Sequence, residues 1–261
     1  MKNRFTTLTI VNLLAFIATL TINYLSNSLP LNGKNPAQLS DDYPNLFVPA
    51  GLTFAIWGLI YSLMFGWIGG QVIGLFSPKQ RASVSPNLER IQWLFLATCV
   101  FNIGWLFAWH WLQVGLSVLA MIGLLVSLIT LNERIQNGRA KVNDFEKRMA
   151  HPLFGIYQGW ITVALIANVT ALLVHSGWQG FGFSQAFWAS LMIAVGASLA
   201  MYMVWSRNQI FHGLVVAWAF LGIFIKRNAL GDAALVQNMA LVGMVAVLLV
   251  VVLRFRRWWA Y

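Results

Sequence analysis

Three stretches of this sequence place neutral polar and aromatic side chains at helical spacing. Thr53, Trp57, Tyr61 and Met64 share one helix face, and so do Thr98, Asn102, Trp105 and Trp109. Tyr157, Trp160, Ala164 and Asn168 make a third stripe, and Asn12, Thr19 and Asn23 a sparser fourth. Such residues support recognition. Indole and phenol rings stack on flat apolar rings, while amides fix orientation through hydrogen bonds. Three converging stripes would line a pocket for a flat, mostly apolar molecule. Trp57, Trp105 and Trp160 lie deep in their apolar runs, where an interfacial belt does not account for them; plain packing is the competing reading. Trp67, Trp93, Trp111, Trp178, Trp205, Trp258 and Trp259 lie near the ends of such runs and read as belt residues.

Groups suited to bond-breaking are sparse. The seven acidic residues, Asp41, Asp42, Glu89, Glu133, Asp144, Glu146 and Asp232, fall in loops or at helix ends. Ion-coupled carriers and proton pumps usually hold ionisable groups at membrane depth, so a carboxylate relay is not expected. Neither GxSxG nor HExxH occurs. His110, His151, His175 and His212 are scattered near span ends, too far apart in sequence for a metal motif, and read as interfacial. The single cysteine, Cys99, excludes an intramolecular disulfide and reads as a small apolar packing residue. No enzyme activity, cofactor or metal is expected.

The elements that must position the stripes are transmembrane helices. Hydrophobic residues make up 59 % of the 261 positions and charged residues 9 %, with mean hydropathy +0.70. A soluble domain would be nearer a quarter charged. Continuous apolar runs of roughly 20 residues occur at about 7–27, 48–76, 89–111, 113–132, 151–174, 183–205, 209–226 and 235–254. They do not alternate, so the fold class is all-α, a polytopic helical bundle of about eight spans. The first run ends without a clear small-residue cleavage site and is kept as a helix. A glycine-rich turn after Val174 suggests two parts: a five-helix unit over 1–175 and a three-helix extension over 176–261. No internal repeat of the inverted-transporter kind is visible.

With the N-terminus inside, fourteen of the seventeen basic residues fall in inner segments. Lys34, Lys226 and Arg227 are the three outer ones. The positive-inside rule therefore places both termini in the cytoplasm, most simply at a bacterial inner membrane. Charge thus reports orientation and lipid contact, and no nucleic-acid partner is needed. The loop SLPLNGKNPAQLSDDYPN is the one sizeable outer loop, a candidate lid. Gly66, Gly70 and Gly74 form a close-packing face, within the chain or in a homodimer. Leu199, Tyr202 and Arg207 make a weak sterol-type pattern at a cytoplasmic helix end.

The chain resembles the tryptophan-rich sensory proteins, relatives of the mitochondrial translocator protein (peripheral benzodiazepine receptor). The proline-rich entrance to that family's second helix, its Trp-x-x-x-Tyr step and the following Met are echoed by Pro49, Trp57, Tyr61 and Met64. Its helix-three Asn-x-x-Trp is matched by Asn102 and Trp105, and its helix-five pattern by Trp160, Ala164 and Asn168. The likeness covers about residues 1–175. Gly51 stands where the family usually has a further Trp, Val48–Pro49 replaces a double proline, and Pro152 lies about a turn early. The last three spans have no counterpart in a five-helix family. The resemblance implies a hydrophobic pocket beneath the first loop that takes porphyrins, other tetrapyrroles or sterols. Pro49 and Gly51 would shape its mouth, and Thr53, Trp57, Tyr61, Asn102, Trp105, Tyr157, Trp160, Ala164 and Asn168 would line it. Sensing or transport is the expected purpose. A carrier of small hydrophobic molecules using all eight helices, or a structural membrane subunit, are the alternatives.

Overall fold

A hydrocarbon environment leaves a backbone only its own partners, so each long apolar run closes its hydrogen bonds as a helix. The computed structural model describes residues 2–29, 31–137 and 143–259. Pro30, Arg139 and Lys141 lie outside the described residues, as do the side chains of Lys2, Glu146, Arg256, Arg257, Trp258 and Trp259. The helices are α1 (Lys2–Ser28), α2 (Pro36–Asp41), α3 (Ile56–Phe76), α4 (Pro78–Ile91), α5 (Leu94–His110), α6 (Val114–Asn137), α7 (His151–His175), α8 (Gln185–Arg207), α9 (Ile210–Leu230) and α10 (Ala234–Trp259). Among the described residues seven helical segments are long and apolar enough to cross a bilayer.

The expected third span is the exception. The helix over 89–111 is broken: Gln92 adopts φ 53° and α4 meets α5 at 63°. The 17 residues of α5 reach only about 25 Å, so an eighth span needs the bent pair together. α4 itself was not expected as a helix. Ser77 caps it by accepting from the Gln80 amide, Pro78 opens it, and Val84, Leu88 and Ile91 are buried. The second span also differs from a continuous helix. Pro49 keeps the chain extended, Gly51–Ala55 form a 3-10 turn, and only then does α3 begin. The tight joint between α5 and α6 at His110–Val114 is as expected.

α1, α3, α5, α6 and α7 form one bundle. Polar pairs lock its helices together: Asn12 to Gln71 at 3.1 Å, Asn23 to Asn102 at 2.9 Å, and Asn132 to Gln158 at 2.7 Å. Trp67 does not serve the belt. It is 1 % exposed, donates to Asn87 Oδ1 at 3.1 Å, and packs edge-on against Phe154. His110 and His212 are likewise buried, whereas Trp93, Trp111 and Trp205 face outward as a belt requires. The glycine face of α3 is covered within the chain: a Cβ would meet Met149 at Gly66, Phe145 at Gly70, and Phe5, Arg81 and Val84 at Gly74.

α9 lies along α7, with α8 and α10 behind it. The approach is closest at Gly159, where a Cβ would stand 2.8 Å from the His212 carbonyl oxygen. Phe220 fills the gap between Gly196 on α8 and Gly243 on α10. Gly159→Leu should therefore push α9 off α7 and destabilise the protein by about 1–3 kcal/mol, the usual range for overpacking. Gly69→Ala, where a Cβ meets nothing within 4 Å, should unfold at or above the parent temperature. Thermal unfolding in detergent compares the two; equal losses would contradict this account of the α7–α9 contact.

Candidate functional site

The stripes on α3, α5 and α7 converge on Trp57. Its indole stacks on Tyr61 (centroids 5.5 Å, planes 16°) and on Trp105 (6.4 Å, 23°). Tyr157 and Trp160 meet it edge-on at 5.8 and 6.4 Å. Trp105 stacks in turn on Trp109, and Phe54 meets Trp160 at 80°. Offset stacks and T-shaped contacts are the arrangements the ring quadrupole favours.

Two cavities flank this cluster. The outer one, about 320 Å³, opens between α1, α2, α3 and α5, with Asn23, Tyr24 and Asn27 as its polar side and Trp57, Tyr61 and Trp105 opposite. The inner one, about 50 Å³, is bounded by Pro49, Trp109, Met121, Trp160, Ala164 and Asn168. Pro36, Phe54, Trp57 and Trp105 line both and form the partition. Drug-sized ligands occupy roughly 300–1,000 Å³, so the outer cavity suffices only at the low end and the inner one is filled by the protein's own rings.

Of the expected wall residues, Trp57, Tyr61, Trp105, Pro49, Trp160, Ala164 and Asn168 border a cavity. Four do not. Gly51 is exposed at the start of the 3-10 turn. Thr53 faces the other way, into α9. Asn102 lies behind Asn23, which it positions by accepting its amide hydrogen. Tyr157 backs Trp57 from outside the cavity. Phe54 was missed although it sits one turn before Trp57, and so were Leu20, Tyr24 and Leu106, whose types alone do not mark them out from core residues.

Hydrogen bonds fix some rings and leave others open. Trp105 Nε1 donates to Asn168 Oδ1 at 3.2 Å, and Asn168 Nδ2 donates to Ser117 Oγ at 2.9 Å. Trp160 Nε1 and Tyr61 Oη are buried with no hydrogen-bond partner among the described residues. Buried polar groups are normally satisfied, so these two, each on a residue lining one of the cavities, have unused hydrogen-bonding capacity.

The first loop covers the site. α2 lays Pro36 and Ala37 over the outer cavity, and Pro36 accepts from Trp109 Nε1 at 3.3 Å. Asn32 donates to the His110 carbonyl at 2.8 Å, and Tyr43 packs on Trp109 and His175. Burial, and then the Asp42 carboxylate, push the Tyr43 phenol above its usual range, so it stays protonated under the loop.

α9 grips the mouth from the other side. Ala50 N–H donates to the Gly222 carbonyl at 3.0 Å, and Trp218 Nε1 donates to the Thr53 carbonyl at 3.1 Å. A Cβ at Gly222 would stand 2.0 Å from Thr53 Oγ1 and 2.9 Å from Pro49 Cβ. Leu199 and Tyr202 lie on the outer face of α8, and Arg207 pairs with Glu133, so the sterol-type pattern stands apart from these cavities.

The family profile described as TSPO-like protein matches residues 9–253. The chain belongs to the TSPO-like family. The match corrects the extent of the resemblance, because it runs beyond residue 175 and through most of α10. Comparison with curated proteins and with solved structures gave no match. This TSPO-like chain is thus an integral membrane protein in which α8, α9 and most of α10 fall inside the matched region.

Asn168→Ala should free the Trp105 indole and leave its N–H unsatisfied, costing about 1–3 kcal/mol. Ser117→Ala leaves the Trp105 bond intact and should cost less. Unfolding temperatures of the two purified variants test the order, and a larger loss in Ser117→Ala would refute it.

Proposed function

We propose that this TSPO-like protein binds a flat, mostly apolar ring compound, of porphyrin, tetrapyrrole or sterol-like class, in the chamber around Trp57. The ligand would be held for sensing or for passage across the membrane, with no covalent chemistry. The observation that carries this reading is the partition itself. Phe54, Trp57 and Trp105 separate two cavities that would become one on their rotation, and the parallel faces of Tyr61, Trp57 and Trp105 suit a planar ring slipped between them. Asn23, Trp160 Nε1 and Tyr61 Oη would give polar edges to a guest with few polar atoms.

Absorbance and tryptophan-quenching titrations with protoporphyrin IX and, separately, with a sterol test this. An aromatic contact is worth about 0.5–1.5 kcal/mol beyond its area, so Trp57→Ala or Trp160→Ala should weaken binding by a few-fold to roughly tenfold while membrane insertion is kept. Affinity unchanged in both variants would sink the reading. Counterflow of the bound compound in liposomes then separates passage from sensing.

The charge asymmetry supports placing both termini on the cytoplasmic side, of a bacterial inner membrane in the simplest case. Native Cys99 is buried, so introduced cysteines report alone. Ser176→Cys should react with an impermeant maleimide from outside intact cells, and Lys79→Cys only after permeabilisation. The reverse pattern would invert the topology.

A further inference from the structure

A cavity larger than either of those beside Trp57 lies away from the aromatic chamber. It is a slot of about 560 Å³ between the outer halves of α7 and α8, with Leu165, Val169 and Leu173 on one wall and Ala189 and Met192 on the other. Its outer end is built by a turn that only a glycine makes readily: Gly180, at φ +66°, accepts from Trp188 Nε1 at 2.9 Å. Trp178 packs on Trp188 at 5.0 Å, which caps the slot and keeps the helix ends apart. Around this cap, Phe181, Phe183 and Phe187 are exposed, the pattern of a chain entering the membrane interface.

Against this slot lies a second space of different chemistry. A basin of about 380 Å³ is bordered by Asp41, Lys226, Arg227 and Asp232. The two spaces share Asn45, Leu46 and Gln185 as walls. The basin's charges are paired, Lys226 to Asp41 at 2.8 Å and Arg227 to Asp232 at 2.7 Å, so its formal charge is zero. Arg227 is 3 % exposed, and its Nε has no hydrogen-bond partner among the described residues. A buried guanidinium holding one carboxylate and an unused N–H has capacity for another acceptor.

We propose that the slot and the basin together form a binding site for one zwitterionic phospholipid of the outer leaflet, with an acyl chain between α7 and α8 and the headgroup among the two ion pairs. The slot is apolar and long-walled, as a chain requires. The basin offers cations to a phosphate and carboxylates to an ammonium group, and an anionic head would leave Asp41 and Asp232 without compensation. The first loop borders both this site and the chamber around Trp57, and Ser40 lines both the basin and the chamber's inner cavity, but the slot between α7 and α8 shares no wall residue with either chamber cavity.

The test uses delipidated full-length protein in detergent, titrated with lysophosphatidylethanolamine, lysophosphatidylglycerol and an alkyl alcohol of the same chain length. Native mass spectrometry and thermal shift read the binding. The zwitterionic lipid should be retained at least several-fold over the other two. Val169→Trp, which fills the slot from a position 37 % exposed, should weaken it about tenfold. Lys226→Gln should erase the headgroup preference. The unfolding temperature of lipid-free Val169→Trp should stay close to the parent's, which shows the variant is folded, and whatever porphyrin affinity the parent has should be unchanged in it, which separates this site from the chamber. Equal retention of all three probes would overturn the proposal, and so would a Val169→Trp variant that binds like the parent.

Discussion

The break before α3 is the constraint on which the rest of the structure depends. A proline at position 49 opens the helix, and an opened backbone in hydrocarbon costs several kcal/mol for each polar group left alone. Here the freed groups are answered by another helix. Gly222 supplies a carbonyl to Ala50, and Trp218 supplies a donor to Thr53. The absence of a side chain at Gly222 is what lets the two backbones meet. The last three helices are therefore part of the site's foundation: α9 holds the pocket mouth open at the angle that presents Phe54 and Trp57, while α8 and α10 hold α9.

The aromatic chamber shows a balance between stability and reception. Its rings pack on one another, so the empty protein avoids a large void, which would forfeit contact energy. The same rings are those a planar guest would use. Little new surface type would be created on its entry, because one stack would replace another. The Trp160 and Tyr61 atoms without a hydrogen-bond partner among the described residues are the part of the arrangement that packing alone does not explain.

Much of this was legible in the sequence. Apolar run length gave the helices, and the spacing of Trp57, Tyr61, Trp105 and Trp160 placed them on converging faces. What escaped notice did so for physical reasons. α4 is too polar for a hydropathy reading, and its burial comes from tertiary contact at Val84, Leu88 and Ile91. Thr53 lies on the right face of α3 by periodicity, but the 3-10 turn changes the angular step and sends it toward α9. Trp67 sits where a belt residue would, yet Asn87 on the unforeseen α4 gives its N–H a partner inside the protein. Residues 176–261 carry no motif of the aromatic pocket, so their contact with its mouth could not be read from pattern.

The amide pairs have a consequence for motion. Asn12 with Gln71 and Asn23 with Asn102 tie α1 to two different neighbours at two depths. Sliding α1 lengthwise by even a single turn would separate both pairs together, in a medium with no water to replace them. Piston-like travel of that helix is thereby suppressed. The cheaper degrees of freedom are χ rotations of Phe54, Trp57 and Trp105, so a guest of the proposed kind would be admitted by swinging rings within a nearly rigid frame.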